Sequence, residues 1–188
     1  MNKKRSEFPP IKRINLRINH KKLLNCFSDF INNQDSINYV HGTEYLSDGY
    51  EQMTITKPSS IEYYHGKEDE RCYDTILKKY KNTYVEEVLT KFQSPYTRVR
   101  LIVKKPGSYI LPHIDYDTSF SMRYYIPLIT NNWSFTAVQP KNQTPVIKNL
   151  KANGSIYFVN PGYLHSAWNF GKTDDVRLIV SVNGQEDV

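Results

Sequence analysis

The chain has 188 residues, a net charge of +6, an apolar fraction of 39% and an aromatic fraction of 13% with 15 tyrosines. That composition excludes a disordered chain, and the length suits one domain with a core of its own. No apolar run approaches the ~20 residues of a membrane helix, and the start, Met1-Asn2-Lys3-Lys4-Arg5-Ser6-Glu7, leads into no hydrophobic stretch, so a soluble, cytoplasmic protein without membrane contact is expected.

Residues 1–22 hold eight basic residues and one acid, whereas the rest of the chain holds 17 basic and 18 acidic residues. The basic excess is therefore N-terminal, and residues 1–22 read as a solvated basic arm. No aromatic-rich basic groove follows it, which disfavours nucleic acid as a partner. Cys26 and Cys72 belong to no C-x-x-C, so a zinc knuckle and a disulfide framework are excluded.

Within 21–33, Leu23, Leu24, Phe27, Phe30 and Ile31 have the spacing of one helix face. Within 71–92, Cys72, Tyr73, Ile76, Leu77, Tyr80, Tyr84, Val88, Leu89 and Phe92 predict one long helix, or two joined near Asn82. Between them, 39–64 is irregular and rich in Tyr, Ser, Thr and Gly, as a lid or capping segment would be.

After Pro95 the helical period gives way to eight β-rich runs, at 96–103, 109–114, 121–129, 134–138, 145–150, 155–159, 164–170 and 176–183, separated by turn residues such as Lys105-Pro106-Gly107-Ser108 and Asn160-Pro161-Gly162. The expected fold is mainly β, a double-stranded β-helix of the jelly-roll or cupin-like barrel type with N-terminal helices packed on one sheet. Residues 1–22 form the arm, 23–94 the helical and irregular part of the same domain, and 95–188 the β core.

His113-Ile114-Asp115 ends the second run. Residues i and i+2 of an extended chain point the same way, so an imidazole and a carboxylate face one point. His165, at the start of the seventh run, supplies a third group. Two histidines and one carboxylate form the facial triad suited to non-haem Fe(II), with positions left open for a cosubstrate and O₂. His20, His41 and His65 lie outside the β core, have no carboxylate at such spacing and are read as non-ligands.

On the eighth run Arg177 alternates with Val176, Leu178, Val180 and Val182. A guanidinium there needs an anion: an acid such as Asp174 or Asp175, or the carboxylate of an organic ligand held in a bidentate fork. On the third run Arg123, Tyr125 and Pro127 share a face, and Arg123 is placed to bind a ligand carboxylate or to pair with an acid such as Asp117.

Arg98-Val99-Arg100-Leu101, the Pro106-Gly107 turn, His113-Ile114-Asp115, the stretch from Arg123 through Tyr125 to Leu128, His165 and Arg177 together resemble the Fe(II)/2-oxoglutarate-dependent dioxygenases. The likeness covers about 95–184 and is closest to the aspartyl/asparaginyl β-hydroxylase branch, which includes free-proline hydroxylases. It implies that His113, Asp115 and His165 hold Fe(II), that Arg177 binds the distal carboxylate of 2-oxoglutarate, and that Arg123 and Tyr125 assist with this cosubstrate. The implied reaction uses O₂ to hydroxylate an amino acid or amino-acid-like substrate, free or peptidyl, and releases succinate and CO₂.

Some positions depart from the branch. Asp115 stands where peptidyl aspartyl hydroxylases usually have glycine, and where halogenases have a small residue, so hydroxylation of an amino-acid-like compound is favoured over halogenation. Tyr125 replaces a frequent histidine, and Ile102 replaces a serine that contacts the cosubstrate. Asn183 stands where alkyl-lesion repair dioxygenases carry a second arginine, and Lys172 is a weaker candidate than Arg177 for the distal carboxylate. Arg100, Tyr116 and Asp117 are the candidate substrate contacts. Two alternatives are a non-catalytic cupin-like binding module and an oxygenase acting on a nucleic-acid-associated substrate through the basic arm.

Overall fold

The computed structural model describes residues 3–33, 49–59 and 70–188. The strands and helices are β1 (Ile11–Arg17), α1 (His20–Asn25), α2 (Ser28–Asn33), β2 (Tyr50–Thr54), β3 (Thr56–Lys57), β4 (Thr75–Ile76), α3 (Tyr84–Leu89), β5 (Tyr96–Lys104), β6 (Tyr109–His113), β7 (Met122–Ile129), β8 (Ser134–Gln139), β9 (Val146–Lys148), β10 (Ser155–Val159), β11 (Leu164–Asn169) and β12 (Asp175–Val182). No helix among the described residues is long and apolar enough to cross a membrane.

The strands form a six-stranded sheet in the order β1-β10-β7-β12-β5-β2, a four-stranded sheet in the order β6-β11-β8-β9, and the small pair β3-β4. All eight runs expected after residue 95 are strands. They make two facing sheets of jelly-roll type, and the sheets do not close into one continuous barrel.

The side chains of the six-stranded sheet alternate between two environments. Its outer face presents Val99, Leu101, Val103, Met122, Tyr124, Ile126, Leu128, Val176, Leu178, Val180 and Val182, which pack with Leu23, Phe27, Val85, Val88 and Leu89 of the helical layer in the main hydrophobic core. Each such side chain contributes about 1.5–3 kcal/mol of burial free energy. The space between the sheets holds a smaller apolar cluster of Ile11, Val138, Leu150 and Val159 and a cavity lined by both charged and apolar side chains.

Three expectations for the N-terminal half need correction. The segment read as a solvated arm contains β1, whose Ile11, Lys12 and Arg13 pair with Val159, Phe158 and Tyr157 of β10. Ile11 and Ile14 are buried while Lys12, Arg13 and Arg17 face outward, so an amphipathic edge strand carries the charge. The helix expected over 21–33 is two short helices; the Asn19 side chain caps the first, and the Ser28 hydroxyl donates to the Asn25 carbonyl (3.0 Å) at their junction.

The long helix expected over 71–92 is replaced by 3₁₀ turns at Glu70–Cys72 and Lys78–Tyr80, strand β4 and the short α3. Asn82 takes a left-handed φ of 59°, which ends any continuous helix, and Thr83 caps α3 through its hydroxyl. Ile76, Tyr80, Val85, Val88, Leu89 and Phe92 are buried all the same, because burial on a sheet does not require helical spacing. Of the segment 39–64 the described part contains β2 and β3, and β2 is an edge strand paired to β5. Residues 39–48 and 60–64 of that expected lid, with His41 and His65, lie outside the described residues.

Leu178 is fully buried at the centre of the core beneath the helices. Leu178→Ala is expected to cost about 2–5 kcal/mol in urea unfolding, whereas Lys12→Ala on the exposed face of β1 should stay within about 0.5 kcal/mol.

Candidate metal centre and cosubstrate pocket

β6 and β11 lie side by side in the four-stranded sheet, and His113 is the direct register partner of His165. Direct partners stand on the same face, so the imidazoles meet, with ring centroids 4.3 Å apart. Asp115 follows just beyond β6, anchored by its N–H to the Pro161 carbonyl (3.1 Å) in the turn before β11. Its Oδ2 lies 3.1 Å from His165 Nε2 and 3.7 Å from His113 Nε2. One ligating atom from each of the three residues falls within 4.8 Å of the others.

The hydrogen bonding of the imidazoles decides what this cluster fits. His113 Nδ1 bonds the Leu111 carbonyl at 2.7 Å and His165 Nδ1 bonds the Tyr163 carbonyl at 2.9 Å. A carbonyl only accepts, so each Nδ1 carries a proton and each Nε2 is turned towards Asp115, a lone pair whenever the ring is neutral. Burial and the neighbouring His165 push the pKa of His113 down, which favours that neutral form. Two Nε2 atoms and a carboxylate oxygen thus converge on one point. A divalent cation satisfies this arrangement, and backbone carbonyls holding Nδ1–H are the usual outer support of metal-bound histidine.

Asp115 is ionised. Burial opposes its charge, yet the neighbouring charges, the Arg123 guanidinium foremost, hold its carboxyl well below the usual carboxylate range. Arg123 Nη1 contacts Asp115 Oδ2, and Nη2 donates to Glu70 Oε2 at 3.0 Å. Glu70 also accepts from the Ser121 hydroxyl at 2.5 Å and is 1% exposed. The acid partners of Arg123 are therefore Asp115 and Glu70. Asp117, the acid expected from the sequence, binds its own turn, with Oδ1 accepting from the Ser119 N–H at 3.0 Å, and it does not line the cavity.

The triad opens into a cavity of about 580 Å³ between the sheets. The inner face of the six-stranded sheet supplies its floor in rows set by register. Lys104 stands opposite Asp175 and Tyr50; Ile102 opposite Arg177 and Gln52; Arg100 opposite Ile179, which in turn faces Tyr125; and Ser181 opposite Arg123. Arg177 and Arg123, expected as cosubstrate contacts, line this cavity together with Tyr125, as do Arg100 and Tyr116. Arg177 is 1% exposed and is held by Asp175 through Nε (2.6 Å) and Nη2 (3.0 Å), and by Thr136 through Nη1 (2.5 Å).

Some residues of the site are absent from the sequence reading. Glu70 sits in a 3₁₀ turn at the edge of the segment expected to be helical, and nothing in its neighbours signals a buried acid. Arg98 shares a face of β5 with Arg100 and Ile102, as the alternation of that run implies, and Lys104 was legible by the same parity. Burial and the adjacent Arg100 lower the pKa of Arg98 to about 10, and its guanidinium lies over the Tyr73 ring at 5.6 Å.

The family model for aspartyl/asparaginyl beta-hydroxylase matches residues 70–184. No curated protein is similar in sequence. Among solved structures, a prolyl-4-hydroxylase from Pseudomonas putida is similar over 94% of this chain and 93% of its own, at 6% identity and a TM-score of 0.62. The alpha-ketoglutarate-dependent epimerase SnoN from nogalamycin biosynthesis is similar over 94% and 78%, at 10% identity and a TM-score of 0.58. A 2OG-Fe(II) oxygenase-family oxidoreductase from Burkholderia pseudomallei is similar over 72% and 67%, at 12% identity and a TM-score of 0.54. At such identities the likeness is one of fold, and the different reactions named show that the fold alone does not select one. The family match spans more than half of the chain and takes in the whole triad: the chain belongs to the aspartyl/asparaginyl beta-hydroxylase family, and so to the enzymes with 2-oxoglutarate- and Fe(II)-dependent oxidoreductase chemistry.

Proposed function

We propose that the protein hydroxylates an amino acid or amino-acid-like substrate, free or peptidyl, with His113, Asp115 and His165 holding Fe(II). The observation that carries this reading is the convergence of two imidazole Nε2 atoms and an ionised carboxylate, with both Nδ1 protons committed to backbone carbonyls. When bound, Fe(II) with 2-oxoglutarate and O₂ supplies the oxidising chemistry, releasing succinate and CO₂.

The protein's own residues position and exclude. Arg177 gives the distal carboxylate of 2-oxoglutarate its cationic anchor, and Thr136 holds the guanidinium in place. Arg123 fixes the orientation of Asp115 and keeps it charged, and Tyr125 on the same strand lines the wall beside it. Ile102, Ile110, Ala167 and Ile179 give the cavity apolar surface that limits water around the reacting centre.

Charge supports an acid-bearing substrate. Arg98, Arg100, Lys104, Arg123 and Arg177 line the cavity, and the carboxylates paired among them in the described residues are Asp115, Glu70 and Asp175. A divalent metal and a dianionic cosubstrate leave that positive excess unchanged. It lies at Arg98 and Arg100: Glu70 is committed to Arg123 and Ser121, and the buried Nε of Arg100 has no hydrogen-bond partner among the described residues. We assign the carboxylate of the amino-acid substrate to Arg100, with Arg98 adjacent and Tyr116 at the rim. Asp117 is directed into its turn and takes no part.

Succinate formation from 2-oxoglutarate, with anaerobically loaded Fe(II) and a panel of free amino acids and short peptides, tests the reaction. Wild type is expected to form succinate, stimulated by one panel member, and Asp115→Ala to lose at least 99% of the rate; an unaltered Asp115→Ala rate would refute the assignment. With the stimulating substrate in hand, Arg100→Met is expected to raise KM about 10–100-fold, the value of a charged hydrogen bond. A KM unchanged in Arg100→Met would remove Arg100 from the substrate site.

A further inference from the structure

The end of the inner face farthest from Arg123 carries two cations on one carboxylate. Lys104 is 2% exposed, and its Nζ lies 3.3 Å from Asp175 Oδ1 and 3.3 Å from Ser134 Oγ. Both acceptors already serve Arg177: Asp175 Oδ1 accepts from Nε at 2.6 Å, and Ser134 Oγ accepts from Nη2 at 3.2 Å. The other carboxylate oxygen of Asp175 accepts from Arg177 Nη2 and from the Thr130 hydroxyl, each at 3.0 Å. One carboxylate, Asp175, thus serves Arg177 at 2.6 Å and Lys104 at 3.3 Å, so with Lys104 protonated the group holds one positive charge in excess. The backbone of Lys104 is fixed by Asn169, whose side-chain amide donates to its carbonyl at 2.7 Å. Lys104 and Arg177 both line the cavity.

We propose that Lys104 is a second cationic contact for the distal carboxylate of 2-oxoglutarate, which is clamped between its ammonium group and the Arg177 guanidinium. The assignment rests on the reading of 2-oxoglutarate as cosubstrate. It goes further in naming a residue that makes the pocket prefer a dicarboxylate, because a ligand with only the metal-proximal carboxylate leaves the excess charge uncompensated.

The clamp also links binding to protons. Burial and the charge of Arg177 lower the pKa of Lys104 to about 7, against the smaller opposing effect of Asp175. The groups facing it are Asp175 and Arg177 from β12, Tyr50 from β2 and Ser134 from β8. Burial opposes the charge of Asp175, but its two cationic neighbours prevail and lower its pKa to about 2. Burial pushes Tyr50 above the usual phenol range, so it stays neutral. Lys104 therefore titrates near neutrality in the free protein, and an arriving carboxylate raises its pKa. Above pH 7, binding takes up a proton; as pH rises from 6.5 to 8 the affinity falls.

The test is titration calorimetry of 2-oxoglutarate into Mn(II)-loaded protein, at pH 6.5 and 8, in buffers of different ionisation enthalpy. Wild type is expected to take up close to one proton at pH 8 and to bind roughly eightfold more weakly than at pH 6.5, the factor set by a pKa near 7. Lys104→Met should bind at least tenfold more weakly than wild type at pH 6.5, with no proton uptake and no change between the two pH values. Wild-type affinity and wild-type proton uptake in Lys104→Met would overturn the assignment. If Lys104→Met fails to fold, the wild type decides alone: equal affinity at both pH values with no proton uptake overturns it as well. Arg177→Met separates the two levels. Weakened binding in Arg177→Met alone defeats the Lys104 contact and spares the cosubstrate reading, whereas a wild type that binds no 2-oxoglutarate defeats both.

Discussion

Arg123 is the residue on which the site depends. Its guanidinium is almost wholly buried and joins Asp115 beside the two imidazoles to Glu70 in the chain before the β core. A buried arginine costs several kcal/mol unless its partners are in place, so the pairing sets both neighbours. It keeps Asp115 ionised and aimed at His113 and His165. It also draws Glu70, and with it the 3₁₀ turn Glu70–Cys72, down onto the inner sheet. The N-terminal half thereby braces the metal-ligand end of the site, while Tyr50 and Gln52 of β2 line the pocket and the helices cover the outer face.

The two faces of the six-stranded sheet divide stability from chemistry. Strand alternation sends Leu101, Ile126, Leu178 and Val180 outward under the helices, where they form the main core. The same alternation sends Arg100, Lys104, Arg123 and Arg177 inward. Because the larger apolar burial lies outside the sheets, the space between them can hold a charged cavity. Its cations are tolerated because each lies within reach of a carboxylate or of the open pocket. The chemistry needs such a wall: an oxidising centre that excludes water, and fixed charges that orient acidic ligands towards it.

What could be read from the sequence follows from how local each signal is. β strands and turn residues speak through neighbours one or two positions apart, so all eight strands after residue 95, the alternation around Arg177 and the facing pair in His113-Ile114-Asp115 were legible. Before residue 95 the apolar positions were correctly seen as buried, but their spacing misled. Ile76, Tyr80 and Val88 serve the core from a strand, a 3₁₀ turn and a short helix, and the left-handed Asn82 interrupts any helix between them. Ile11 and Ile14 in a run of lysines and arginines signal an edge strand only once β10 is there to receive it. Ion pairs were the least legible of all. Glu70 with Arg123, and Lys104 with Asp175, are separated by more than fifty residues and meet only through sheet register, whereas the nearer Asp117 turns away into its own loop.

The central claim is that His113, Asp115 and His165 hold Fe(II) and present it to 2-oxoglutarate. It is tested most directly by adding Fe(II) and 2-oxoglutarate to the protein without oxygen and recording the visible charge-transfer absorption that arises when an α-keto acid chelates ferrous iron. The account predicts this band at one equivalent of Fe(II) in wild type and its loss in His165→Ala with the fold retained. Wild-type protein that retains no iron and shows no band, or a His165→Ala variant with an undiminished one, would contradict it.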